Sequence, residues 1–576
     1  MRHYLLLLFI ILFLSSHAQH TTTFFEQSNG TVTPTYFQII NWWKELDAIS
    51  PIISMKAMDT TDAGFPLHLV LINGDKDFNI PSIKKKRKNI ILINNGIHPG
   101  EPDGIDASML LARDIVENKY KLPDNITLAI IPVYNIGGCL NRSENYRIDQ
   151  NGPDAFGFRG NSQNLDLNRD FIKCDSKDAL AFTKVFHLLD PDIQIDNHVS
   201  NGADYQHIIT LLSSQHNKLG GALGDFLTDK LEPDVYKLMK QKGYDLVPYV
   251  NHFGDKTPDV GWQQFWDSPR YSSGFATLWN TLAFMPETHM LKPYRQRVEA
   301  TVALMKSFIE FTSANGKTLH QIREENKKAV ATQTQFPIRW KVDSTQHAMI
   351  EFKGYEAGKR TSEVSGLPVL FYDKTKPFTK RIPFYNEYKA NFFVTKPKAY
   401  LIPQGWWKII ERLKANNIVM TKLSSDTTVK VDWYKIEDYK TSSRQFESHY
   451  LNSNVITSTH TDTLHCRAGD WYIPLNQTAN CFLIETLEPS GEDSYFAWNF
   501  FDAILGQKEG FSDYVFEQTA ADYLQSHPEI KTALEEKKQK DSSFANNAEA
   551  QLDFVFRHSP YMEPDYLHYP IFRVME

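Results

Sequence analysis

The apolar run Ile90-Ile91-Leu92-Ile93 leads directly into Gly96-Ile97-His98-Pro99-Gly100-Glu101. An imidazole and a carboxylate three positions apart at the end of a strand-like run can occupy neighbouring corners of a metal site, because zinc accepts neutral imidazole nitrogen and carboxylate oxygen. Two ligands do not hold a catalytic ion. A third donor must therefore come from far along the chain, and Asp192-Ile193-Gln194-Ile195-Asp196-Asn197-His198 supplies it: His198 closes another short run in which apolar residues alternate with polar ones. The chain is constrained to a topology in which two strand ends, distant in sequence, finish side by side.

From about residue 33 to 320, apolar strand-like runs alternate with longer helix-like segments. Strands are expected at Lys88 to Asn95, Ile126 to Val133, Ile193 to Asn197, His207 to Leu212 and Leu282 to Pro286, and helices at Ile105 to Asn118, Ser176 to Leu189 and Tyr294 to Phe311, with Lys218 to Lys242 largely helical. This alternation predicts an α/β sandwich with a mostly parallel sheet. Such sheets place ligands beyond the carboxyl ends of their strands, where His98, His198 and Glu287 all fall. The catalytic unit is expected at 19–320. The polar, lysine-rich stretch that follows reads as a linker or exposed helix, with 321–335 assigned as the linker. Residues 336–576 read as a mixed, largely β accessory region with a helix at Trp406 to Ala415.

The N-terminus carries Arg2, a leucine- and isoleucine-rich core to Leu14, and small residues ending at Ala18, the pattern of an export signal over residues 1–18 rather than an anchor. A secreted or periplasmic protein without stable membrane insertion is expected. The formal charge of −7 gives no reason to expect nucleic acid as a partner. The basic run Lys84 to Lys88 has no interleaved aromatics, which argues the same way. Four cysteines cannot staple 576 residues; Cys139 with Cys174 and Cys466 with Cys481 are candidate local disulfides, and none has the spacing of a metal site.

Metal-assisted hydrolysis also needs a base and something positive to meet the oxyanion. Glu287, closing Leu282-Ala283-Phe284-Met285-Pro286, is the expected general base. Asn168 and Arg169, in Asn164-Leu165-Asp166-Leu167-Asn168-Arg169-Asp170-Phe171, form a candidate clamp for a terminal carboxylate, since arginine's planar fork suits that anion. Asp170 puts an unwelcome negative charge beside them. Tyr271 precedes a Ser/Gly-rich stretch that reads as a mobile flap, from which its phenol would bind substrate. Arg147 is the first choice for the oxyanion, with Arg142 and Arg159 as alternatives.

In this order the residues resemble those of the zinc carboxypeptidase family, the M14 metallopeptidases. The family's HxxE pair matches His98 and Glu101, and its distant third ligand matches His198. The Asp-Leu-Asn-Arg-Asn-Phe segment matches Asp166 to Phe171, with Asp170 replacing the second asparagine. The flap tyrosine and catalytic glutamate fit Tyr271 and Glu287. The resemblance covers roughly residues 33 to 315. It implies a mixed sheet of eight strands flanked by helices, one zinc ion, a carboxypeptidase acting on peptides near their C-terminus, and a water activated by Glu287 and the metal. A zinc-dependent amidase or deacylase, or a peptidase acting on cell-wall or other non-standard peptides, is the alternative. The C-terminal region lies outside the resemblance, and a contact with polymer or peptide is expected there at most.

Overall fold

The computed structural model describes residues 21–252 and 256–575, so the export signal expected at 1–18 lies outside the described residues. A mixed sheet of eight strands forms the centre of the N-terminal half. In chain order its strands are β1 (Ile53–Thr60), β2 (Pro66–Ile72), β3 (Asn89–Asn94), β4 (Ile126–Ile131), β5 (Ile193–Asp196), β6 (His198–Ser200), β7 (Ile209–Ser213) and, after the short strand β8 (Trp262–Gln263) of another sheet, β9 (Leu282–His289). The order is β1-β2-β4-β3-β5-β9-β6, with β7 also paired to β9. Strands β3, β4, β5, β6 and β9 run parallel to their partners in the middle, while β1, β2 and β7 pair antiparallel.

The middle strands are buried along their whole length, which explains why they read as unbroken apolar runs rather than half-polar ones. Alternate residues point to opposite faces. Ile91, Ile93, Leu128 and Ile195 face one core with helices α1 (Tyr36–Ile49) and α2 (Asp103–Val116). Ile90, Leu92, Ala129 and Ala283 face another, covered by α3 (Lys177–Leu189), which is capped at its start by Ser176.

Among the further helices of this half are the short α4 (Ser272–Thr277) and the 39-residue α5 (Tyr294–Thr332). Helix α5 corrects the expectation of a linker, because residues 321–332 are its last turns. The segment is polar in composition, yet a thin buried stripe of Gly316, Leu319, Arg323 and Val330 continues the apolar face begun by Val298, Leu304 and Phe308. Arg323 is tied to Asp190 at 2.9 Å and to Asp192 at 2.7 Å. Gly316 lies so close to β3 that a Cβ there would stand 1.9 Å from Asn89 Oδ1.

The C-terminal half contributes β10 (Gln335–Val342), paired with β13 (Tyr388–Thr395), and a long hairpin of β11 (Ala348–Thr361) and β12 (Pro368–Tyr385), which joins β8. Its largest sheet has six strands, β15 (Thr421–Lys422), β18 (Trp471–Pro474), β14 (Ala399–Ile402), β19 (Phe572–Val574), β16 (Thr427–Thr441) and β17 (Asn452–Cys466), in that order. The expected helix is present as α6 (Trp407–Ala415), and α7 (Asn480–Leu487) follows. Tyr400, Ile402, Ile409, Phe482 and Trp498 belong to the same buried cluster as Phe182, Phe186 and Phe275 of the N-terminal half. The two halves thus share one core.

One feature was not expected. Helices α8 (Asp513–Ser526), α9 (Pro528–Lys540), α10 (Ser542–Ala545) and α11 (Ala548–Arg557) form an all-helical unit around Phe516, Leu534, Phe544, Val555 and Phe556. Both candidate disulfides are also corrected: all four cysteines are free. Cys139 and Cys174 are buried, and burial pushes both thiols up to about 12. Among the described residues no helix is long and apolar enough to cross a membrane.

Candidate metal centre and substrate cleft

Strands β3 and β5 are parallel neighbours, with Asn94 opposite Asp196. Their continuations therefore bring His98, Glu101 and His198 to the same edge. These three residues are buried, and one donor atom from each lies within 4.8 Å of the others. His198 Nδ1 stands 3.1 Å from Glu101 Oε2, and His98 Nδ1 stands 3.4 Å from Glu101 Oε1. A tetrahedral ion with bonds of about 2.0–2.2 Å has ligand-to-ligand edges of roughly 3.3–3.6 Å; the second separation falls in that range and the first lies just below it. His98 Nδ1 is buried without a hydrogen-bond partner, as a nitrogen intended for a metal should be.

The remaining ring nitrogens face carboxylates. Asp166 Oδ1 lies 2.9 Å from His98 Nε2, and Asp196 Oδ2 lies 3.3 Å from His198 Nε2. Such partners fix the orientation of a ligating imidazole and raise its basicity. The centre is electrostatically prepared for a cation. Burial pulls the His198 pKa down, but Asp196 and Glu101 outweigh it and push it up to about 10. Burial pushes Glu101 up, but Arg147 and the two histidines hold it well below the ordinary range. Sequence pattern does not mark Asp166 or Asp196 as a histidine partner, although each stands in a segment that carries site residues.

Glu287 sits on β9 directly opposite His198 on β6. It is 8% exposed. Burial, with Glu101 adding to it against the opposing pull of His198, pushes its carboxyl up to about 8.

The three arginines separate clearly. Arg142 is not at the site; it donates to the carbonyls of Thr33, Pro34 and Ala155. Arg147 reaches the site but is fully engaged, donating to Gln150 Oε1 (2.6 Å), Glu101 Oε1 (2.7 Å) and Val199 O (3.1 Å). Its geometry is that of a holder of Glu101, which counts against the expected oxyanion role. Arg159 has a side chain 47% exposed; it pairs with Asp166 at 2.9 Å and has Nη1 3.6 Å from Glu101.

On the adjoining wall, Asn168 and Arg169 lie in a single 3-10 turn whose N-cap is Asp166. Asn168 Oδ1 accepts from the Ser272 N–H at 3.1 Å, and Arg169 Cζ lies 4.4 Å from the Tyr271 ring centroid. The structure thus brings the expected clamp and tyrosine together. Asp170 points elsewhere: it is buried, ion-paired with Lys173 at 2.8 Å, and accepts from the N–H groups of Asp175 and Ser176. The flap expectation is corrected. Ser272, Ser273 and Gly274 form the buried first turn of α4, where a Cβ on Gly274 would meet Ser268 O at 2.2 Å.

Residues 39–198 match the family model described as zinc carboxypeptidase. Over that segment the chain is similar to the zinc carboxypeptidases. Relatives include Carboxypeptidase 2 of Trichophyton equinum, 20% identical over 72% of this chain and 74% of the relative. Carboxypeptidase 2 of Trichophyton rubrum is 19% identical over the same shares. Among solved structures, a metallo-carboxypeptidase from Burkholderia cenocepacia is 15% identical, covering 48% of this chain and 69% of that one, with a TM-score of 0.36. The family segment together with the His98, Glu101 and His198 cluster marks the protein as a metallopeptidase.

Proposed function

We propose that the protein is an exported zinc carboxypeptidase that removes residues from the C-terminal end of peptides. The observation that supports this reading is that Asn168 and Arg169, the proposed carboxylate clamp, lie on a turn capped by Asp166, the residue that faces His98 of the His98, Glu101 and His198 cluster. Bound zinc would supply a Lewis acid for the scissile carbonyl.

The protein's own groups account for the rest. Glu287 takes the proton of the attacking water on its carboxylate and returns it to the departing amine nitrogen. Its buried position raises its proton affinity toward that of a useful base. Arg159, whose guanidinium is only partly engaged, donates to the carbonyl oxygen as negative charge develops there. Arg169 receives the α-carboxylate in its fork, and the Tyr271 ring keeps that fork in plane. With Oδ1 already accepting from Ser272, Asn168 has its Nδ2 hydrogens to donate to the same carboxylate. The residues 1–18, read as an export signal, are the basis for placing the activity outside the cytoplasm.

Incubating the zinc-loaded protein with a mixed peptide library, followed by mass spectrometry of the products, tests the reading. Stepwise loss of single C-terminal residues is expected. Internal cuts, or hydrolysis of N-acyl amino acids alone, would overturn it.

A further inference from the structure

The surroundings of the proposed clamp are not built by the N-terminal half alone. A four-residue turn of the C-terminal half, Phe446-Glu447-Ser448-His449, reaches Asp166, the N-cap of the turn that carries Asn168 and Arg169. Phe446 N–H donates to His449 O at 2.8 Å, and His449 N–H donates back to Phe446 O at 3.0 Å. The two central residues, Glu447 and Ser448, have φ of 49° and 68°. Tight turns with positive φ at both centres normally use Asn-Gly or another glycine-containing pair. A non-glycine pair there persists only where the surroundings hold it, and such strain collects at functional sites.

The surroundings do hold it. His449 Nε2 lies 2.7 Å from Asp175 Oδ2. The Phe446 ring lies 6.1 Å from that of Trp498, and Arg270 Cζ is 5.6 Å from its centroid. Arg270 immediately precedes Tyr271, whose ring covers Arg169. Held in this way, Glu447 Oε2 accepts the backbone N–H of Asp166 at 2.8 Å. Asp166 is the partner of His98 and starts the turn that carries the clamp. Glu447 Oε1 has no hydrogen-bond donor among the described residues, and Glu447 lies within electrostatic reach of Asp166, Lys173 and Arg169.

A carboxylate fixed beside a carboxylate clamp is self-defeating for a clamp that has only to bind an anion. The pairing makes sense for a ligand bearing both charges. We propose that Glu447 is a specificity-determining residue that selects substrates whose C-terminal residue has a cationic side chain. The α-carboxylate goes to Arg169 and Asn168, and the side-chain cation goes to Glu447 Oε1. This deepens the carboxypeptidase reading and rests on it. The accessory half would then supply the charge preference, while the catalytic half supplies the chemistry.

The test compares kcat/KM for one peptide series ending in Lys, Leu or Glu, in the full-length zinc-loaded protein and in Glu447→Gln and Glu447→Lys. The wild type is expected to prefer Lys over Glu by at least tenfold. Glu447→Gln keeps an acceptor for the Asp166 N–H and should collapse that ratio toward one, and Glu447→Lys should invert it. A wild-type ratio near one, or a ratio unmoved in both variants, overturns the proposal. Calorimetric binding of N-acetyl-lysine and N-acetyl-glutamate to the wild type and Glu447→Gln gives a readout independent of turnover. If no peptide is shortened but lysine binds more tightly and the difference vanishes in Glu447→Gln, the carboxypeptidase reading falls and the charge preference stands. If peptides are shortened without any such preference, the reverse holds.

Discussion

His198 and Glu287 stand opposite one another on parallel strands, so backbone hydrogen bonding fixes the separation between a metal ligand and the proposed base. Loops would hold the two less firmly. The base is therefore separable from the metal site by mutation: Glu287→Gln should retain one zinc per chain by native mass spectrometry while kcat falls by about 10²–10⁴-fold. A variant that keeps normal turnover would remove Glu287 from the mechanism.

Asp166 orients His98 through the ring nitrogen that faces away from Glu101. Asp166→Asn should weaken zinc binding by about 10–100-fold, measured by competition with a chromogenic chelator. Unchanged affinity would show that the contact is incidental.

Asp175 joins the two halves, lying 3.0 Å from Arg412 and 2.7 Å from His449, with Lys173 at 3.1 Å. Burial pushes its carboxyl up, but His449 and Lys173 outweigh burial and hold it at about 2. An unfolded aspartate titrates near 3.9. Because the folded value is the lower one, the stabilisation is present above about pH 4 and is lost as pH falls through about 2. Urea midpoints followed from pH 5 downward should fall more steeply in the wild type than in Asp175→Asn. Parallel curves would show that Asp175 does not contribute.

Gly316 lets α5 approach β3, with Asn89 Nδ2 donating to Gly316 O at 3.2 Å. Gly316→Ala should cost roughly 1–3 kcal/mol through overpacking, seen as a lower urea midpoint with the slope unchanged. A stability equal to that of the wild type would mean that Asn89 moves aside freely.

How much of this was legible depends on where each residue stands. His98, Glu101, His198 and Glu287 follow apolar runs, and a parallel sheet gathers strand ends, so their convergence could be read from pattern. Asn168 and Arg169 are contiguous and were readable together. The arginines were harder, because residues 141–166 are loops without periodicity and nothing local separates Arg147, engaged by Glu101, from Arg159, half open to the cleft. The Ser-Ser-Gly after Tyr271 suggested looseness, whereas tight packing against Ser268 is what requires the glycine. Polar composition hid the narrow buried stripe of α5. Glu447 left no signal, since its contact with Asp166 spans 281 residues.

The helix that begins beside the metal-bearing strands and ends under the β-rich half has a practical consequence. Cutting the gene near codon 320 would sever a continuous rod, release Arg323 from Asp190 and Asp192, and lay bare the aromatic seam around Phe182 and Phe275. The polypeptide should melt in one cooperative step, and an excised N-terminal fragment should aggregate rather than digest peptides.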